Sequence, residues 1–263
     1  MQDSSPVHLI FAGLARDCAD TVEKNISSIL SFVEDPRVGS LEVLIAENDS
    51  RDDTQLRLQK LSQVQPEVTL FLLPSLDQQF SGRIERIAYC RQYLLDYIRT
   101  KELAKSSSRT IYVPVDLDSN ILASVDHDVF LQACLLLLNS KEFDALFPLS
   151  TPYYYDILAL RARGWCQSDC VNDLLRYQKL KSRFIYQVAR LWLIMRRQRS
   201  SKVIAAHGSF HPVESAFGGF GLYAIASIAE AQYYSLLWPK VIFQESNEHV
   251  LFNRVVPRKA IYS

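Results

Sequence analysis

The sequence lacks an excess of either charge, because 29 Lys and Arg residues balance 29 Asp and Glu residues among 263 positions. Overall charge therefore gives no sign of a nucleic-acid partner, which would favour a basic chain. Cysteine is sparse and odd in number, at five residues, so we expect neither a disulfide framework nor a structural zinc site. Cys166 and Cys170 are the only close pair, and both a disulfide and two reduced thiols stay open for them.

Long apolar runs are also missing. No uninterrupted apolar stretch reaches the roughly 18 residues that a membrane-spanning helix needs. Residues 1–6 have neither the basic nor the apolar region of a signal peptide. These absences predict a soluble chain that is cytoplasmic or peripherally bound to a membrane, or one in the Golgi lumen if the sequence is a trimmed ectodomain. Its length fits a single domain.

The chain does contain short apolar runs that alternate with amphipathic segments. This alternation is typical of an α/β domain whose first half forms a parallel sheet. An antiparallel return in the second half would make the sheet mixed. The predicted strands are residues 7–14, 41–46, 68–73, 111–115, 143–149, 154–160 and 240–243. The main predicted helices are residues 21–33, 83–98 and 126–140, followed by a basic helix or helix pair at 172–202.

Two carboxylates, Asp116 and Asp118, follow the buried strand at 111–115. In an extended segment, residues two apart point to the same side, so these carboxylates converge on one small volume. Two negative charges that close favour a bound cation, and carboxylate oxygens suit Mg²⁺ or Mn²⁺. A solvated strand end is the alternative interpretation.

The basic segment at 172–202 contains Trp192 and Ile194 among several arginines. A solvated helix face is one interpretation. Peripheral contact of residues 186–202 with an anionic membrane, with Trp192 and Ile194 facing the lipid, is the other. Further on, Gly218 and Gly219 lie between strand-like and helix-like sequence, and they permit either a close approach to a ligand or a tight turn.

In their order along the chain, these features resemble a GT-A nucleotide-sugar glycosyltransferase, and more narrowly the fungal capsule-associated α-1,3-mannosyltransferase type. The resemblance covers nearly the whole chain. It depends on Val-Pro-Val-Asp-Leu-Asp-Ser-Asn at 113–120, Tyr-Tyr-Asp-Ile-Leu-Ala-Leu-Arg at 154–161, Glu-Ser-Ala-Phe-Gly-Gly-Phe-Gly-Leu-Tyr at 214–223 and Asn-Glu-His-Val-Leu-Phe-Asn at 247–253. It implies a GT-A (Rossmann-like), mixed, mainly parallel sheet flanked by helices, with a nucleotide-binding half at 1–120 and an acceptor-binding half at 121–263.

The resemblance also implies donor-binding residues. Glu47 would lie near the base or ribose, although it could instead be a loop acid that caps a helix. Arg83 and Arg86 share a helix face and could bind phosphate or base, or they could face solvent. The family often has Arg-Asn where this chain has Arg91-Gln92. The complete implied donor set is Glu47, Arg83, Arg86, Arg91, Asp116, Gly218 and Gly219.

For the metal, the resemblance implies Mn²⁺ or Mg²⁺ bound by Asp116, Asp118 and His249, with Asp118 acting in catalysis. Asp116 could face the ribose instead of the metal, and His249 could be a structural residue. For the acceptor, it implies Glu214, Asp156 and Arg161, although an internal ion pair would also explain the last two. Glu214 would be a general base if the reaction inverts the anomeric configuration. If the configuration is retained, Glu214 would orient the acceptor.

The resulting hypothesis is a metal-dependent enzyme that moves a hexose, with mannose from GDP-mannose as the family's suggestion, from a nucleotide-diphosphate sugar to a hydroxyl of a glycan or glycolipid. A nucleotidyltransferase is one alternative, although the sequence has no Gly-rich phosphate loop followed by Lys near its start. A GT-A scaffold that binds glycan without turnover is the other, and the intact aspartate pair argues against it.

Overall fold

A computed structural model describes residues 5–102, 109–119, 122–150, 154, 156–167, 183–206, 208–233 and 247–262. Within these ranges, eight strands form one sheet in the order β3-β2-β1-β4-β7-β5-β8-β6. The strands are β1 (Val7–Ala15), β2 (Val38–Glu47), β3 (Val68–Leu72), β4 (Thr110–Asp116), β5 (Ala145–Pro148), β6 (Phe210–Pro212), β7 (Leu222–Ala224) and β8 (Lys259–Tyr262).

The first half of the sheet is parallel. Strand β1 lies between β2 and β4, and β3 extends the sheet beyond β2. In the second half, β7 runs antiparallel to both β4 and β5, whereas β8 is parallel to β5 and antiparallel to β6. The predicted α/β fold with a mixed, mainly parallel sheet is therefore confirmed.

Helices cover both faces of the sheet, as the long apolar strands require. Alternate residues of β1 point to opposite faces, so Phe11 packs with Ile26 in one core while Ile10 packs with Leu94 in the other. The helices are α1 (Ala19–Leu30), α2 (Thr54–Val64), α3 (Leu76–Gln79), α4 (Arg83–Glu102), α5 (His127–Asn139), α6 (Arg183–Ala205) and α7 (Glu248–Asn253).

The strand predicted at 154–160 is wrong for the residues that the structure describes there. Asp156 Oδ1 accepts hydrogen bonds from the backbone N–H groups of Leu158 and Ala159, at 3.2 and 3.1 Å, and this local bonding turns the chain. Ile157 and Leu160 are nevertheless buried, so the apolar run indicated burial correctly but not extended structure.

Other predicted elements differ from the structure in length or lie outside the described residues. The first helix was predicted to extend to residue 33, but α1 ends at Leu30 and a 3₁₀ turn follows, which leaves Val33 48% exposed. The strand predicted at 240–243 and the helical residues predicted at 172–182 lie outside the described ranges, as does Cys170. Cys166 is buried.

Helix α1 anchors the segment that follows β4. The buried Asn25 donates through Nδ2 to the carbonyl oxygens of Leu117 and Ser119, at 2.9 and 2.7 Å. Thr21 donates through Oγ1 to the same Leu117 oxygen at 2.8 Å. On the sheet side, the Leu117 side chain lies over Gly13, where an added Cβ would come within 2.6 Å of Leu117 Cδ1. Asp118 is therefore part of a segment that is held from two sides.

Asn25→Ala should destabilise the protein by about 1–3 kcal/mol, because the carbonyl oxygen of Ser119 would lose its donor and that of Leu117 would keep only Thr21. The measurement is the free energy of unfolding in urea. Ser27→Ala, at an exposed position of the same helix, is the matched control and should change that free energy by less than about 0.5 kcal/mol. Equal values for the two variants would contradict this account of the anchor.

Candidate active site

A cleft of about 550 Å³ opens at the carboxyl ends of β1 and β4. The chain runs from β1 outward to β2 and β3, and then returns to place β4 on the other side of β1. Such a switch point leaves a crevice where ligands of α/β proteins usually bind. The lining residues include Arg16, Asn48, Arg83, Arg86, Arg91, Asp116, Asp118, Asp156, Arg197, Phe217, Glu248 and His249.

Four carboxylates converge on this cleft, from Asp116, Asp118, Asp156 and Glu248. Burial raises the pKa of Asp116 to about 7; Arg91 opposes this shift, and the other three carboxylates add to it. Burial likewise raises the pKa of Asp156 to about 6, with Glu248 adding to the shift and the N–H groups of Ala159 and Leu158 opposing it. Burial therefore penalises the ionised form of both carboxyl groups more than their partners favour it, and a bound cation would favour that ionised form.

Arg91 is the buried cation of the site, with 3% of its side chain exposed. Its Nη2 donates to Asp116 Oδ1 at 2.8 Å, and its Nε lies 3.4 Å from Glu248 Oε1. The guanidinium carbon lies 5.0 Å from the ring centroid of Phe217, within the range of a cation–π contact. Burial disfavours the charged form, but Asp116 and Glu248 outweigh it and raise the pKa of Arg91. Arg91 thus stays charged and orients Asp116.

His249 lies in the wall of the same cleft, next to Glu248. It is 1% exposed, and its ring stacks on Phe217 with the centroids 3.6 Å apart. Burial, together with the charge of Arg91, lowers the pKa of His249 well below its usual value. The imidazole is therefore neutral, which is the form that binds metals. Neither ring nitrogen has a hydrogen-bond partner within the described ranges, and Nε2 lies 3.5 Å from Glu248 Oε1.

These residues fit a divalent cation in their chemistry. Carboxylate oxygens from Asp116 and Asp118 are ligands for Mg²⁺ and Mn²⁺, and a neutral imidazole without a partner is a further ligand. Among the residues that the structure describes, no three His, Cys, Asp or Glu side chains form a complete metal-binding group.

The structure brings together seven of the residues predicted for the site. Asp116, Asp118, Asp156 and His249 line the cleft, and so do the three predicted arginines of α4, Arg83, Arg86 and Arg91. Arg86 Nη1 also donates to the carbonyl oxygen of Phe80 at 2.9 Å, and Arg83 is exposed. Binding by each of them stays a prediction.

Five other predicted residues are not among those that line the cleft. Glu47 is buried and accepts a hydrogen bond from Ser50 N–H at 2.9 Å, so it organises the loop after β2. Arg161 is 5% exposed, and its Nη1 donates to the carbonyl oxygens of Leu158 and Leu160. Glu214 pairs with the exposed Arg163 at 2.9 Å. Their proposed contacts with substrates stay predictions.

Gly218 and Gly219, the remaining two, form a turn beside the site. Both have positive φ, +72° and +94°, and a Cβ at Gly218 would lie 2.9 Å from the carbonyl oxygen of Pro148. The backbone conformation and the nearby carbonyl oxygen of Pro148 therefore explain why glycine is found at position 218. The carbonyl oxygen of Gly219 accepts a hydrogen bond from Asp116 N–H at 2.9 Å, which links the turn to the end of β4.

Sequence reasoning missed several residues of the cleft, above all Arg16 and Arg197. Arg16 follows β1 directly, at the same sheet edge as Asp116, so its position at a strand end was a usable signal. Arg197 belongs to α6, and nothing in its local sequence distinguishes it from the other arginines there. Arg16 Nη1 and Arg197 Nε are buried donors without a partner in the described parts of the chain. Phosphate or hydroxyl oxygens would be suitable acceptors for them.

No model of a known protein family matches this sequence, and no curated protein matches it either. Several solved structures resemble the fold. S. aureus TarS 1–349 superposes with a TM-score of 0.48 at 11% identity, over 98% of this chain and 58% of that one. The mannosyltransferase PcManGT from Pyrobaculum calidifontis, in complex with GDP-Man and Mn²⁺, has a TM-score of 0.39 at 16% identity, over 58% of this chain and 39% of its own.

Glucosyl-3-phosphoglycerate synthase from Mycobacterium tuberculosis, in complex with UDP, has a TM-score of 0.34 at 19% identity, over 54% of this chain and 44% of that one. The chain thus spans at most 58% of the length of these three structures. At identities this low, the superpositions compare only the course of the backbone. They do not assign roles to individual residues.

Arg91→Met should lower the free energy of unfolding by about 3–5 kcal/mol, because it leaves Asp116 and Glu248 without their buried counter-charge. The measurement is denaturant unfolding without added metal. Arg83→Met is the matched control on the same helix, and its effect should stay below about 0.5 kcal/mol because Arg83 is exposed. A small effect of Arg91→Met would show that the carboxylates do not depend on this cation.

Proposed function

We propose that the protein is a metal-dependent glycosyltransferase that moves a hexose from a nucleotide-diphosphate sugar to a hydroxyl of a glycan or glycolipid. One observation carries the proposal. At the switch point of the sheet, a single cleft combines the strand-end carboxylates of Asp116 and Asp118 with buried arginine donors that have no partner in the described ranges. Carboxylates suit a cation, and the arginines suit the phosphates that such a cation would bridge.

On the donor side, Asp116 and Asp118 would hold Mn²⁺ or Mg²⁺, with His249 as a further ligand. Arg91 keeps Asp116 oriented through the 2.8 Å hydrogen bond. Arg16, Arg83, Arg86 and Arg197 surround the cleft and would bind the diphosphate. A bound cation would offset the negative charge that develops on the departing nucleoside diphosphate. Glu47, Gly218 and Gly219 are proposed to contribute to donor binding from the edges of the cleft.

On the acceptor side, Asp156 is the carboxylate that supports the proposal best. It lines the cleft, and no Lys or Arg side chain in the described part of the chain lies within hydrogen-bonding distance of it. With its pKa raised to about 6, Asp156 could accept a proton from an acceptor hydroxyl near neutral pH if the reaction inverts the anomeric configuration, and it would orient the acceptor if the configuration is retained. We propose that Glu214 and Arg161 act farther from the reacting atoms, in acceptor orientation.

The finer proposal is transfer of mannose from GDP-mannose, by an enzyme of the fungal capsule-associated α-1,3-mannosyltransferase type. Its support is the order of the four sequence motifs, at 113–120, 154–161, 214–223 and 247–253. The cleft geometry bears on the diphosphate and the metal, which all nucleotide-sugar donors share, so the sugar and the base have to be determined by experiment.

A thermal-shift panel of nucleoside diphosphates, nucleoside triphosphates and nucleotide sugars, each with and without Mn²⁺, tests the proposed function. A ligand that binds only the folded state at a hundredfold excess over its dissociation constant stabilises it by roughly 2.7 kcal/mol. We expect a shift that requires both Mn²⁺ and one nucleotide, with GDP-mannose as the first donor to examine. No shift with any nucleotide in a folded protein would contradict the proposal, and a shift with nucleoside triphosphates alone would favour a nucleotidyltransferase.

Asp116→Asn and Asp118→Asn should each weaken Mn²⁺-dependent nucleotide binding by more than tenfold. Loss of a side chain that only supports a metal ligand lowers metal affinity by about 10–100-fold. Each of these substitutions removes a proposed ligand itself, so we expect at least such a loss. Isothermal titration with the nucleotide identified in the panel measures the effect. Asp53→Asn replaces an exposed aspartate outside the cleft and should leave the affinity unchanged. Wild-type affinity in Asp118→Asn would refute the metal assignment.

A further inference from the structure

The charge of this neutral chain is strongly polarised. Residues 174–213 contain nine Lys or Arg residues and no Asp or Glu, which leaves 20 basic and 29 acidic residues elsewhere. Helix α6, at Arg183–Ala205, forms the centre of this basic segment and contributes six of the nine. A local concentration of one charge sign within a balanced chain indicates a surface that attracts an oppositely charged partner.

Helix α6 has one face that is turned away from the protein. Val188, Leu191 and Met195 follow helical spacing on that face and are 50%, 58% and 56% exposed. Arg199 and Lys202 continue the same face and are exposed as well. We call these five residues the outer face of α6. It combines apolar side chains with basic ones, which is the composition of helices that lie in a membrane interface.

The opposite side of α6 is fixed to the body of the protein. Ala189, Ser200 and Ile204 are buried. Ser201 Oγ accepts a hydrogen bond from the backbone N–H of Tyr154 at 2.5 Å, and Arg197 lines the cleft. The helix therefore presents its outer face in a defined orientation, because its other side is already engaged by the core and by the proposed active site.

We propose that the outer face of α6 binds the surface of a bilayer that contains anionic phospholipids. The three apolar side chains would enter the interface, while Arg199 and Lys202 would contact lipid phosphates. None of the described helices combines the length and apolarity of a membrane span, so this contact is interfacial. A second copy of the chain is disfavoured as occupant, because a symmetric contact would bring two basic helices together without a carboxylate on either helix.

Vesicle co-sedimentation of the whole chain tests this proposal, with phosphatidylcholine vesicles compared with vesicles that also contain about one-third phosphatidylserine. Wild-type protein should bind the anionic vesicles more tightly, and the difference should shrink at high salt, where charges are screened. Leu191→Asp combined with Met195→Asp should lower binding at least tenfold, because it removes two apolar contacts and adds repulsion. Arg199→Gln combined with Lys202→Gln should lower binding about thirtyfold on anionic vesicles and much less on neutral ones.

The matched control is Leu56→Asp combined with Val64→Asp. It adds the same charge at two exposed apolar positions of α2, which are 50% and 70% exposed, and it should bind vesicles like the wild type. Equal loss in both double variants would overturn the proposal, since charge alone would then explain the effect. Equal binding to neutral and anionic vesicles would overturn it as well. So would a dimer in light scattering that Leu191→Asp with Met195→Asp dissociates, because the occupant would then be a second copy.

Discussion

The buried guanidinium of Arg91 is the interaction on which the site depends. It joins three elements, because Arg91 belongs to α4, Asp116 ends β4 and Glu248 begins α7. Removing one partner from such a group is costly, since the other charges remain buried without compensation. The same contacts orient Asp116 toward the cleft. The constraint that holds α7 against the sheet is therefore also the one that positions a proposed metal ligand.

The parallel half of the fold could be predicted from the sequence because each of its strands is recognisable from its own residues. Buried parallel strands are recognisable as apolar runs, and a polar residue at the end of one run lies at the same sheet edge as the polar residue at the end of the next. This is why Asp116 and Asp118 were found from spacing alone. Residues 154–160 show the limit, because Asp156 turns an apolar run with two hydrogen bonds that hydropathy does not reveal.

Contacts between distant segments were harder to predict. Leu191 and Trp192 are neighbours and both apolar, so the sequence does not determine which of them faces outward. Packing decides, because Leu191 is 58% exposed while Trp192 is partly buried beneath Arg196, whose guanidinium carbon lies 5.0 Å from the ring centroid. The membrane contact predicted for Trp192 stays a prediction, and the side chain of Ile194 lies outside the described ones. Arg197 was missed because packing, and not its local sequence, determines that it faces the cleft.

Ionisation of the cleft carboxylates affects both the stability of the folded protein and the binding of a cation. An isolated Asp has a pKa near 3.8, whereas that of Asp116 is about 7 in the folded protein. Between these values the unfolded chain is ionised while the folded protein retains a proton, so the contribution of Asp116 becomes steadily less favourable to folding as pH rises toward 7. A cation at Asp116 would displace that proton and relieve the repulsion from Asp118, Asp156 and Glu248. The burial that makes ionisation of Asp116 costly in the free protein is thus the same property that would favour a cation bound there.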